Sequence, residues 1–199
     1  MDLKEFVIIY GKKYSEILGI NPEKEPFKWF LASILFGAPI REKNAIKTYK
    51  IFEENGYTEP EKILKAGWNK IVKCLDEGGY TRYDFKTADK IIEACKNILA
   101  KRGLEKIRKD SRNDKELKDN LKLAKGVGDV TINIFLREIG WAQHELSKYA
   151  IIAAKKHHLF NGKLKKIDGI DEIEMEIAFM KLGRDFCSKG KCKKCPFPC

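Results

Sequence analysis

Helical spacing runs through this chain from end to end, and no stretch alternates apolar and polar residues for long enough to make a half-buried strand. That pattern leaves helices packed on helices as the architecture. The segment LKEFVIIYGKKYSEIL puts Phe6, Ile9, Tyr10, Tyr14 and Leu18 along one stripe, closed by Asn21-Pro22. PFKWFLASILFGA is apolar on nearly every side, which predicts a buried helix closed by Pro39. REKNAIKTYKIFEENG is amphipathic and stops at Gly56; TEPEKILKAG then opens a short helix with Thr58 as N-cap, Pro60 in the first turn and Glu61 completing a capping box. WNKIVKCLDEGG and DFKTADKIIEACKNILAKRG each end on a glycine stop. Residues 106–118 are charged on all sides and read as an exposed connector with a frayed helix. DNLKLAKGVGDVTINIFLREIGW gives two helices joined by a very short turn, and helices at 143–159 and 170–185 precede the tail. The expectation is an all-α protein of about nine helices.

With 40 Lys plus Arg against 29 Asp plus Glu, the net charge is +11. Such a balance favours a polyanionic partner, nucleic acid first. A lysine-rich, solvated surface of the kind thermophiles carry accounts for part of the same excess. The charge is uneven: from Lys181 to Cys199 the bases are Lys181, Arg184, Lys189, Lys191, Lys193 and Lys194, against Asp185 alone. No apolar run approaches the roughly 20 residues that cross a bilayer, and the start MDLKEFVIIYGKK lacks a signal-peptide block. A cytoplasmic monomer with no membrane partner is expected.

KGVGDV, residues 125–130, is the most informative internal stretch. Gly126 and Gly128 accept left-handed dihedrals and bare their backbone, while Val127 plugs the core. A helix starting near Asp129 points its free N–H groups outward beside Lys125, Thr131 and the glycines, a phosphate-sized donor nest. An ordinary glycine-rich turn is the plainer alternative, and the Asp129 carboxylate opposes phosphate unless it caps the helix.

The tail CSKGKCKKCPFPC places Cys187, Cys192, Cys195 and Cys199 in a C-x4-C-x2-C-x3-C spacing. One loop of this kind can wrap a single ion or cluster, with nearby lysines favouring thiolates. Tetrathiolate zinc and an iron-sulfur cluster need the same four groups. Either would staple the last loop and present Lys189, Lys191, Lys193 and Lys194 to a partner. Cys74 and Cys95 lie alone in apolar helical segments and read as core fillers.

In EGGYTRYD, residues 77–84, Gly78 and Gly79 make a flexible turn; Tyr80 and Tyr83 offer rings to a base, Arg82 reaches a phosphate and Asp84 is a candidate carboxylate. The same residues equally make an N-cap at Asp84 with two packed tyrosines.

Taken together, PFKWFLASILFGA, LAKGVGDVTINIFLREIGW and KLGRDFC resemble the PFELLIAVLLSAQ helix, the LPGVGRKTANVVLNTAFGW hairpin and the Gly-Arg approach to the first cluster cysteine of the endonuclease III-like helix-hairpin-helix DNA glycosylases. The resemblance covers most of the chain from Pro26 onward. It implies a two-lobed fold. Residues 1–22 pack with a C-terminal lobe, 141–199, that ends in the cluster loop 187–199, and residues 23–140 form a six-helix lobe with the hairpin at 125–130. It also implies double-stranded DNA as partner, bound in a cleft between the lobes, and a 4Fe-4S cluster on the four tail cysteines in preference to zinc. The family tail is C-x6-C-x2-C-x5-C; this chain keeps the central spacing and shortens both flanks. At the family's Schiff-base lysine stands Val130, at its aspartate in VDTH stands Ser147, and at its wedge glutamine stands Pro39. What the resemblance then implies is a monofunctional N-glycosylase of base excision repair without lyase activity, drawing a carboxylate from Asp84, Glu138 or Glu145. A non-catalytic DNA-binding or lesion-sensing protein on the same scaffold is the alternative.

Overall fold

The computed structural model describes residues 1–197. It is helical throughout, apart from a two-residue antiparallel ladder, Phe160–Asn161 with Lys163–Leu164, closed at Gly162. Among the described residues, no helix is long and apolar enough to cross a membrane. Contacts divide the chain into two compact units, Leu18–His144 and a second formed by Met1–Ile17 with Glu145–Cys199.

The larger unit is organised around α3 (Pro26–Phe36), whose residues Trp29 to Leu35 are all buried. Its continuous apolar surface lets other helices pack on several sides: α4 (Glu42–Glu54), α7 (Asp84–Ala100), α8 (Leu104–Asp110) and α10 (Asp129–Ile139). The Trp29 indole donates to the Phe135 carbonyl at 3.0 Å, and Phe30 meets the Phe135 ring edge-on at 5.3 Å. α5 (Pro60–Ala66) starts with Pro60 at its first position and Glu59 as the cap residue. Thr58 therefore stands one residue too early to be the N-cap; the missing proline N–H is an orphan at that position in any case.

Two further expectations change here. The Gly78-Gly79 pair is not a flexible turn: Gly78 ends α6 (Trp68–Gly78) pressed against the Thr48 side chain, where a Cβ has no room, and Gly79 takes φ +98 as a left-handed cap. The Asn44 amide holds the Gly79 carbonyl at 3.2 Å. The charged stretch 106–118, expected as an exposed connector with a frayed helix, instead holds most of α8 and the start of α9 (Asp114–Asn120). Leu104 and Ile107, three apart, and Leu117 and Leu121, four apart, are all buried and supply the anchoring faces that the surrounding charges obscure.

In the smaller unit, α1 (Leu3–Tyr10), α11 (Lys148–Lys156) and α12 (Glu172–Asp185) share a core of Phe6, Val7, Ala150, Ala153, Ala154, Met175, Ala178, Phe179 and Leu182. Alanines on α11 and Gly183 on α12, which lies against the Tyr149 carbonyl, permit the close approach. The first expected helix breaks in two, α1 and α2 (Tyr14–Leu18), at Gly11, whose missing side chain admits the Glu174 backbone carbonyl. Ile9 is consequently exposed and Val7 takes its place in the core. Phe197 anchors the tail by stacking on Phe6 at 4.8 Å and on His157 at 4.6 Å.

Asp171 caps α12, accepting from the Ile173 and Glu174 N–H groups at 2.9 and 3.0 Å and from the Lys13 ammonium at 3.1 Å. Burial alone pushes its carboxyl up, but the accepted bonds outweigh burial and hold it below the usual carboxylate value. Because the folded-state value is depressed, this contribution is present above the unfolded carboxylate pKa and is lost as pH falls through the folded one. Asp171→Ala should cost about 1 kcal/mol near neutral pH, and the gap from wild type should close in acid; urea unfolding at both pH values checks this.

Candidate nucleic-acid interface

The hairpin is built on α7. Leu121, Leu123 and Val127 are buried, so the chain between α9 and α10 is pinned from within. From outside the turn, the Asn97 amide donates to the Leu123 carbonyl at 2.6 Å and the Glu93 carboxylate accepts from the Lys125 N–H at 3.1 Å. Gly126 has φ +88, a conformation that disfavours any side chain, and the Lys90 stem lies beside it. Burial holds the Lys90 ammonium below the usual lysine value. Gly128 is the N-cap of α10 in an extended conformation, makes no side-chain cap bond and faces open space. The first-turn N–H groups of α10 thus have no side-chain acceptor from their cap residue.

Asp129 does not cap the helix. Its carboxylate pairs instead with the Lys122 ammonium at 3.0 Å, which also meets Asp119 at 3.5 Å. That pairing offsets the charge that would oppose a phosphate at the turn. Thr131, expected at the interface, is buried, with its hydroxyl packed at Gly37 where α10 crosses α3. It serves the helix contact and not the surface. Val130 is 66% exposed on the first turn of α10.

Segment 77–84 divides. Tyr80 is fully buried, its hydroxyl donating to the Leu35 carbonyl at 2.6 Å, and burial pushes its phenol well above the usual value. It cannot stack on a base. Arg82 and Tyr83 are exposed in the turn, and Tyr83 rather than Asp84 is the cap residue of α7. Asp84 is half-buried in the first turn, its Oδ1 accepting from the Phe85 N–H at 2.8 Å.

The remaining carboxylate candidates stand on separate elements. Glu138 is not on a solvated face: its side chain is 1% exposed and pairs with Arg137, itself buried, at 3.3 Å. Its carboxylate is thus engaged by a buried guanidinium. Glu145 is exposed. Ser147 caps α11, its hydroxyl accepting from the Tyr149 N–H at 3.3 Å.

In the tail, Cys187 opens one 3-10 turn, Cys187–Lys189, and Cys192 opens a second, Cys192–Lys194. Cys187 and Cys195 pack against the core of the smaller unit, and the Cys195 thiol donates to the Phe197 carbonyl at 3.1 Å. Cys192 is exposed, with the Lys156 ammonium 3.8 Å from its sulfur. Lys191, Lys193 and Lys194 are exposed. Among the described residues no three potential ligands gather into a metal group, and Cys199 lies outside them. Cys74 and Cys95 are buried, and burial pushes both thiols up, Cys95 to about 12, which disfavours a thiolate at either.

Sequence reasoning missed Lys90, the exposed aromatic pair Trp68 and Phe85, and a groove of about 510 Å³ lined by Glu23, Glu105, Arg108, Lys109 and Trp141. Lys86 and Lys90, four apart on α7, are a readable signal for the first; the groove depends on α8, whose apolar anchors are masked in sequence by the charges around them. In comparisons with known proteins, the chain matches no family model and no curated protein.

Tyr80→Phe should lower stability by about 1 kcal/mol, because the Leu35 carbonyl loses the phenol and keeps only its backbone donor from Ala38, while leaving affinity for nucleic acid unchanged. Parallel thermal melts and fluorescence anisotropy measure the two effects separately.

Proposed function

We propose that this chain binds duplex DNA on the scaffold of the helix-hairpin-helix glycosylases, with the 125–130 hairpin as its phosphate anchor. The observation that carries this reading is the hairpin itself: Gly128 facing open space, α10 without a side-chain cap, the Asp129 charge paired by Lys122, and Lys90 alongside Gly126. Backbone donors and a nearby ammonium suit a phosphate oxygen and carry no sequence preference. The tail lysines Lys191, Lys193 and Lys194 add a second basic contact.

The chemistry on this reading is monofunctional base excision, in which water hydrolyses the base-sugar bond. With Glu138 buried, the carboxylate falls to Glu145 or Asp84. No amine for strand cleavage stands at Val130. A second reading, a DNA-binding protein without catalysis, is favoured by Ser147, whose hydroxyl is engaged in capping α11 and offers no charge. In the tail, Cys187, Cys192, Cys195 and Cys199 would hold a 4Fe-4S cluster, or zinc as the alternative. Bound by these cysteines, either group would cross-link the loop. Assay of iron and acid-labile sulfide against zinc in purified protein separates them.

Gly128→Val tests the anchor. The extended backbone and open surroundings accept the side chain, so stability should hold, while duplex affinity should fall at least tenfold through obstruction of the nest. Undiminished binding would remove the hairpin from the interface. Single-turnover incubation with duplexes carrying uracil, oxidised or alkylated bases, followed by alkali, tests the chemistry. Release abolished by Glu145→Gln or Asp84→Asn identifies the glycosylase carboxylate. No release from any duplex, with binding that weakens steeply in salt, supports the non-catalytic reading.

A further inference from the structure

Beside the hairpin, α7 carries an aromatic surface that phosphate binding leaves unexplained. Phe85 is 57% exposed and Trp68, at the start of α6, is 39% exposed. Their rings lie 5.2 Å apart, tilted by 41°. The indole is not free to turn, because its Nε1–H donates to the Asp89 carboxylate at 2.7 Å, one helical turn beyond Phe85. A pre-oriented indole next to an open phenyl ring loses little conformational freedom on binding a flat ligand.

Helix geometry relates this surface to the hairpin. Phe85 and Asp89 form one ridge of α7, and Lys86 and Lys90 form the adjoining ridge, which ends against Gly126. The acids around these ridges already accept internal donors: Asp84 from the Phe85 N–H, Asp89 from the indole, and Glu93 from the Lys125 N–H. Lys86 is exposed. From Phe85 to Lys90 the helix rises roughly 7.5 Å, about two nucleotide steps of a stacked strand at ~3.4 Å each. A basic ridge running from a phosphate nest, with aromatic rings on the ridge beside it, matches a nucleic-acid strand whose phosphates follow the lysines and whose bases turn toward the rings. Paired bases are closed within a duplex, so the occupant is an unpaired one.

We propose that Trp68 and Phe85 form a stacking platform for an unpaired nucleobase about two nucleotides along the strand from the phosphate held at the hairpin. This rests on the DNA-binding reading above and makes its substrate a duplex with an adjoining single-stranded segment.

The test compares a blunt duplex with the same duplex bearing a short single-stranded overhang, by fluorescence anisotropy at fixed salt, on the full-length protein. The overhang should tighten binding about tenfold. Phe85→Ala and Trp68→Ala should each remove most of that gain and leave blunt-duplex affinity unchanged. Trp68→Phe and Phe85→Tyr should keep most of it, and far-ultraviolet circular dichroism verifies the fold of every variant. As a second readout, overhang DNA should quench tryptophan emission in the wild type and far less in Trp68→Phe. If the duplex binds but the overhang adds nothing, or adds the same to Phe85→Ala, the platform is wrong and the DNA-binding reading stands. If no DNA binds at all, that reading fails and the platform falls with it. If the wild type proves dimeric and Phe85→Ala monomeric with equal DNA affinities, the rings cover a second copy and the proposal is overturned.

Discussion

The turn before α10 has backbone groups that neither neighbouring helix can satisfy, and the grip of α7 on that turn is the constraint on which the candidate interface depends. Asn97 takes the Leu123 carbonyl and Glu93 takes the Lys125 N–H. With those two groups engaged and Val127 buried, Gly126 and Gly128 are held at the surface in fixed conformations. A preorganised nest of this kind does not pay the ordering cost that a mobile loop pays when it closes on an anion.

The same helix organises what surrounds the turn. Its Lys90 brings an ammonium to Gly126, its Asp89 fixes the Trp68 indole, and its first turn exposes Phe85. α3, buried along its length, holds α10 through the Trp29 indole and the Phe30–Phe135 contact. The hairpin is therefore an extension of the hydrophobic core of its unit. In the other unit, Phe197 plays the comparable part for the tail, holding it to the core by ring stacking on Phe6 and His157.

Most helices were legible in the sequence because their apolar faces repeat at helical spacing and glycine or proline closes them, as at α3, α4 and α6. The exceptions share a physical cause: local pattern does not report long-range approach. Gly11 breaks the first helix because a carbonyl from Glu174 needs the space, and Gly78 is rigid because Thr48 lies against it. Leu104 and Ile107 anchor α8 although charged residues surround them. At the candidate site, the left-handed turn at Gly126 and the plug of Val127 were readable from the turn chemistry, whereas Gly128, expected to be left-handed as well, is extended. The fates of Tyr80, Thr131 and Glu138 were not, since an aromatic ring, a hydroxyl or a carboxylate looks the same in sequence whether it meets solvent or a buried partner. The ion pair of Asp129 with Lys122 was likewise hidden, because residues seven apart come together only once the turn has formed.

The most direct measurement is a titration of isotopically labelled protein with a short duplex at low salt, followed through the backbone amide resonances. Amides from Gly126 to Ile132 should move first and furthest, with Lys90 close behind, and should return as salt is raised. Hairpin amides that stay still while others shift, for instance those around Arg108 and Trp141, would contradict a phosphate site at this turn.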